Sequence, residues 1–241
     1  MTLEEARKKI IFALDVNGLD DIERWSEMLA DKVGMFKVGK ELFTSCGPAA
    51  VKAVKRHGGE VFLDLKYHDI PNTVANAMLE AASLGVRFAN LHALGGAEMM
   101  EAAVTAVHKE FNDTERPRLL AVTILTSSTV ETLRQVGIEH SVQEMVLRLA
   151  RLAKASGMDG VVASPLEIGL IRDACGSDFL IVTPGVRPSF ASADDQKRIM
   201  TPSEAVRSGA DYLVIGRPIA KAPDPAQAAE LIAAEISDDA V

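Results

Sequence analysis

The chain has 241 residues, 48% of them hydrophobic and 25% charged, with a formal net charge of −8; this composition excludes disordered and fibrous classes. Its longest unbroken apolar run, Ile10 to Leu14, is far too short to span a bilayer, and no basic cluster marks a nucleic-acid surface. Cys46 and Cys175 have neither metal-type nor disulfide-framework spacing, and the opening MTLEEARKK has no signal-peptide character; the expectation is a cytoplasmic protein without nucleic-acid or membrane partners.

In chain order, apolar runs of strand length alternate with segments of helical period. KIIFALDV predicts a first strand with Ile10, Phe12 and Leu14 opposing Ile11, Ala13 and Asp15. The amphipathic stretch DDIERWSEMLADKV leads to MFKVGKEL, where Phe36 and Val38 oppose Met35 and Lys37. EVFLDLK predicts a third strand with Val61, Leu63 and Leu65 on one face and Phe62, Asp64 and Lys66 on the other; TVANAMLEAASLG follows as a helix. RFANLHAL, RLLAVTILT, GVVAS, FLIVTPGV and YLVIGRP predict the remaining strands. Between the fifth and sixth, VQEMVLRLARLAKASG places Val142, Met145, Val146, Leu149 and Leu152 on one helical face. Eight strand–helix repeats in 241 residues predict an α/β fold, a single-domain (β/α)8 barrel spanning 1–241, and the glycines and arginines after strands seven and eight make it one of the phosphate-binding type. An open doubly wound sheet is the alternative. One long polar stretch, Arg187 to Pro202, predicts a mobile loop of about 187–202.

The strand faces turn polar only near their C-terminal ends, where barrel enzymes carry their active sites. EVFLDLKYHDIPNTV sets Asp64, Lys66 and Asp69 within six positions of one another. Ionised groups are costly to bury unless paired, and carboxylates around a lysine keep it protonated. Such a D-x-K is also compatible with a solvated salt-bridge ladder, but Lys37 and Asp15 on the two preceding strands favour a converging network. Asp64, His68 and Asp69 include metal-ligand types, against which Lys66 between them would repel a cation. After strands seven and eight, TPGVRP and IGRPI supply Gly185, Arg187, Gly216 and Arg217: backbone amides free to approach an anion and forked cationic donors. Gln196 on the polar loop would close over that ligand. Thr126 and Ser127, in TILTSST, either read the polar edge of a ring or cap the next helix. His92 reads as a supporting residue, and His57, His108 and His140 as surface residues.

FLDLKYHDIPNTV resembles the signature of the orotidine-5′-phosphate decarboxylase family, and the likeness runs the whole chain: ALDV at Asp15, FKVGKELF at Lys37, LTS at Thr126, TPGVRP at Arg187, Gln196, and IGRPI at Arg217. Sugar-phosphate decarboxylases and hexulose-phosphate synthases share the barrel and the D-x-K-x-x-D array; HDIPNT and the position of Lys37 favour the nucleotide enzyme. The resemblance implies decarboxylation of orotidine 5′-phosphate to UMP in pyrimidine synthesis, by a homodimer with shared active sites and no metal or organic cofactor. By the same resemblance, Lys37, Asp64 and Lys66 come from one subunit, while Asp69 and Thr73 reach the partner's ligand. Asp15 and Lys37 would hold the ribose hydroxyls, Thr126 and Ser127 would lie near the pyrimidine, and Arg187, Gln196, Gly216 and Arg217 would hold the phosphate side.

Overall fold

A computed structural model of the chain describes residues 1–190 and 200–238. All eight expected strands form: β1 (Ile10–Leu14), β2 (Met35–Gly39), β3 (Val61–Tyr67), β4 (Phe88–His92), β5 (Arg118–Val122), β6 (Gly160–Val162), β7 (Leu180–Pro184) and β8 (Tyr212–Ile215). They are neighbours in sequence order in a closed barrel, β1 to β8, with β8 pairing in parallel with β1 through Ile10 opposite Leu213. Helices intervene along the chain, as parallel strands require of their crossovers. The (β/α)8 reading holds, and the open-sheet alternative is set aside by the closure.

Two compact units make up the chain: Met1–Asp64 with Thr183–Val241, and Leu65–Val182. In the first, Phe12 and Phe36 are fully buried and meet edge to face at 6.2 Å, with Trp25 5.2 Å from Phe12. The helix Leu3–Lys8 opens with a reciprocal Thr2–Glu5 capping box. It packs on the helix Pro225–Asp238, where Arg7 and Lys32 both engage Glu230, at 2.6 and 3.1 Å. Gly34 is required by packing: a Cβ there would lie 2.2 Å from the Lys8 carbonyl oxygen.

In the second unit, the helix Pro71–Ser83 packs on the helix Ala97–Glu110. The expected amphipathic helix forms over Val142–Ala155, capped by Ser141 and Glu144, and buries Met145, Val146, Leu149, Ala150 and Ala153. Its apolar face therefore turns slightly from the expected one, with Val142 and Leu152 at its half-exposed margin. Close approach again selects glycine at Gly160, where a Cβ would stand 2.3 Å from the Leu180 carbonyl oxygen and break the pairing of β6 with β7. At the N-terminal ends of β5 and β6, Asp159 accepts two bonds from Arg116 (2.8 and 2.9 Å), one from Arg118 (3.0 Å) and one from the Leu119 amide (2.8 Å).

The fifth strand is shorter than expected. It ends at Val122, Thr123 still bonds to the Val162 carbonyl through its amide and hydroxyl, and the chain then turns, with the Ser128 amide donating to Leu125. Thr126 and Ser127 thus lie on an exposed loop instead of on the strand. Neither caps the following helix, Val130–Gln135, whose cap is Thr129.

Candidate active site

In the first unit, the chain leaves β1 at Leu14, and Asp15 follows as an exposed residue. Lys37 lies on β2 opposite Ala13, and on its other side β2 pairs with β3 so that Gly39 stands opposite Asp64. The Lys37 ammonium is 3.4 Å from Asp15 Oδ1 and 3.8 Å from Asp64 Oδ2. Both separations exceed the ~2.7–2.9 Å of a tight charge-assisted bond. The side chains of Lys37 and Asp64 are 13% and 12% exposed, so their attraction acts where water screens it little. Gly39 keeps this space open: a Cβ there would sit 3.0 Å from the Lys37 Nζ.

The same unit carries the two arginine-bearing ends. Gly185, after β7, has φ +84°, a conformation that a side chain would strain. Arg187 is half-buried, its amide donating to Met200 and its Nη1 to the Val186 carbonyl at 3.1 Å. At Gly216, after β8, a Cβ would lie 3.2 Å from Ala13 Cβ and 3.6 Å from Asp15 Oδ2, so glycine keeps the backbone beside the end of β1 bare. Arg217 begins the short helix Arg217–Ala220 and is exposed. Gln196 lies outside the described residues.

The second unit begins on the last turn of β3. Lys66 has φ +52° and is the one non-glycine residue with positive φ among the described residues. Strict alternation along β3 therefore stops at Leu65. The period-2 argument alone does not set the direction of the Lys66 side chain; its left-handed backbone does. The Lys66 amide donates to Oδ1 of Asn90 at 2.8 Å, and Asn90 is fully buried on β4. Two residues further along β4, the His92 ring lies 5.6 Å from that of His68. Between Lys66 and His68 in sequence, burial raises the Tyr67 phenol above its ordinary value.

Asp69 is exposed, and its Oδ1 accepts from the Ile70 amide at 2.6 Å just before the helix Pro71–Ser83 begins. Thr73 is exposed in the first turn of that helix, and Ile70 beside it is 67% exposed. Among the described residues, no three His, Cys, Asp or Glu side chains are grouped so as to hold a metal ion. No described helix is long and apolar enough to cross a membrane. Asn90 is the residue whose part sequence reasoning missed. Its signal was present, a polar residue sharing one face of β4 with His92, but the partner was a backbone amide that no side-chain pattern reveals.

Residues 8–232 match the Orotidine 5'-phosphate decarboxylase / HUMPS family. The chain is 78% identical over 236 residues to an orotidine 5'-phosphate decarboxylase of Trichlorobacter lovleyi and 75% identical over the same length to one of Pelobacter propionicus, each alignment covering 98% of both chains. Among solved structures it is similar to orotidine 5'-phosphate decarboxylase from Lactobacillus acidophilus, with 40% identity, a TM-score of 0.83, and 94% of this chain and 98% of that one covered.

Proposed function

The chain belongs to the orotidine 5'-phosphate decarboxylase family and decarboxylates orotidine 5′-phosphate to UMP; we propose that it does so without a cofactor, through a Lys37–Asp64–Lys66–Asp69 array in which Lys66 protonates the departing carbon. The observation that carries the activity is identity of 78% over 98% of the chain to a decarboxylase of that name. The family match also spans hexulose-type enzymes, and the full-length relatives favour the nucleotide enzyme among them. Because the match runs from residue 8 to 232, we read the chain as one catalytic domain.

Loss of CO2 from C6 of the pyrimidine leaves an electron pair in the ring plane, where the ring π system cannot absorb it. A fixed cation beside C6 stabilises that pair, and an ammonium can then transfer a proton to it. In this reading Lys66 is that ammonium, and Asp64 and Asp69 keep it charged and aimed. Asp64 also crowds the substrate carboxylate. Lys37 and Asp15 hold the ribose hydroxyls; their 3.4 Å spacing supports this, because a ligand oxygen can enter between groups that are not tightly bonded to each other. Thr126 and Ser127, exposed on their loop, meet the pyrimidine. Arg187, Gly216 and Arg217, with Gln196 on the loop of about 187–202, hold the phosphate and keep the site closed.

We further infer a homodimer, in which Asp69 and Thr73 serve the partner's site, and a cytoplasmic location. The exposure of Asp69, Ile70 and Thr73 at the start of one helix supports that arrangement. The direct test is the fall in orotidine 5′-phosphate absorbance with and without EDTA. Turnover indifferent to EDTA is expected, and chelator-sensitive turnover of a sugar phosphate would instead favour the magnesium-dependent members. For the shared site, Lys66→Ala and Asp69→Ala proteins, each inactive, should regain activity on subunit exchange. Exchange without recovery would place Asp69 in its own subunit's site.

A further inference from the structure

The proton donor of the proposed reaction sits at a backbone position that its residue type avoids. At φ +52°, Lys66 occupies the left-handed region, where the Cβ of an L-residue crowds the main chain. Such conformations persist only where the surroundings over-determine them. Here the determining contact is specific. The Lys66 amide donates to a side-chain oxygen, Asn90 Oδ1, at 2.8 Å. Asn90 is 0% exposed, so the acceptor is held by packing and away from competing water. His92, on the same face of β4 two residues later, sets its ring against His68 at 5.6 Å. Contacts from β4 thus brace the chain at residues 66 and 68, on either side of Tyr67.

We propose that Asn90 is a positioning residue for the reaction: by accepting the Lys66 amide it locks the left-handed backbone that aims the lysine ammonium. This rests on the reading of Lys66 as the proton donor. A lysine ammonium rides on a flexible four-carbon stem. Its placement is only as good as the direction of the Cα–Cβ bond that carries it, which φ and ψ of Lys66 set. Relaxing that backbone toward the extended region swings the stem while leaving the phosphate and ribose contacts in place. A displacement of about 1 Å at the reacting atoms is enough to cost roughly a hundredfold in rate. Asn90 should therefore act on the chemical step and leave ligand affinity nearly unchanged.

The experiment compares wild type, Asn90→Ala and Asn90→Asp by kcat and KM for orotidine 5′-phosphate, Kd for UMP, and thermal unfolding. Asn90→Ala removes the acceptor; its kcat should fall about 10- to 100-fold, with the UMP Kd within about threefold of wild type. Asn90→Asp keeps an oxygen at the same distance and should retain kcat within about fivefold. A kcat for Asn90→Ala within threefold of wild type overturns the proposal, as does a parallel loss of UMP binding, which would mark a merely structural role. If Asn90→Ala does not fold, Asn90→Asp decides alone: kcat kept within about fivefold supports the lock, and a larger fall overturns it. Lys66→Ala, assayed alongside, reads the underlying assignment separately. If Lys66→Ala stays active, the proton donor itself is wrong; if it is dead while Asn90→Ala is unimpaired, only the lock fails.

Discussion

Two charged clusters in this protein look alike in composition and differ in every bond length. At the start of β5 and β6, Asp159 takes four hydrogen bonds of 2.8–3.0 Å from Arg116, Arg118 and a backbone amide, and the Arg116 and Asp159 side chains are 8% and 11% exposed. Just past β1 and midway along β2 and β3, Lys37 stands 3.4 and 3.8 Å from Asp15 and Asp64. The first cluster uses the planar fork of arginine to close every acceptor site around one carboxylate. The second uses a lysine, a point charge on a flexible stem, and keeps its carboxylates at a distance. A saturated cluster stabilises the fold and has no capacity left for a ligand. A loosely spaced one contributes less to stability and can redirect its donors to a substrate.

That contrast, with Lys66 taken as the proton donor of the proposed Lys37–Asp64–Lys66–Asp69 array, predicts a double dissociation. The largest effect is at Lys66, where Lys66→Ala should reduce kcat by about 10⁴-fold or more (~5.5 kcal/mol in barrier) while UMP still binds and the unfolding midpoint moves by less than roughly 2 °C. Activity kept within tenfold would remove Lys66 as the proton donor. Next comes Asp159→Ala, which takes the buried carboxylate partner from the Arg116 guanidinium and should cost ~3–5 kcal/mol of stability, with a midpoint lowered on the order of 10 °C. Measured well below that midpoint, its kcat should match wild type; a specific loss of activity in the folded protein would break the distinction between the clusters. Arg217→Ala should then lower kcat/KM by ~3 kcal/mol for orotidine 5′-phosphate and have little effect on orotidine, which lacks the phosphate. Equal losses on both substrates would assign Arg217 to the fold.

The gentlest probe is acid. Burial alone would raise the Asp159 carboxyl, but the bonds from Arg116, the Leu119 amide and Arg118 outweigh it and hold the group below its ordinary value. A carboxyl whose folded pKa is depressed contributes stability that is fully present above its unfolded value of about 3.9 and is lost as pH falls through the folded value. Wild type should therefore lose stability progressively below about pH 4–5, and Asp159→Asn, already destabilised, should show a shallower acid limb. Parallel acid limbs in urea melts of the two proteins would show that Asp159 does not govern this region.

The eight strands, the amphipathic helix Val142–Ala155 and the inward carboxylate and lysine positions up to Asp64 were all legible in the residues. Period-2 and period-3.6 patterns are local, and burial rewards them wherever the chain places one apolar face. The glycines and arginines after β7 and β8 were legible as well, because turn chemistry is written in residue types. Tertiary structure decided the rest. The end of β5 at Val122 is set by where pairing with β6 gives way, with Thr123 making its last bonds to Val162, so Thr126 and Ser127 sit on a loop that no propensity marks. The left-handed turn at Lys66 has no local cause, since lysine disfavours it. It exists because Asn90, 24 residues away in the chain, offers an oxygen to the Lys66 amide. A sequence determines which side chains are available to a site, whereas a conformation that opposes local preference is determined only by the distant residue that holds it.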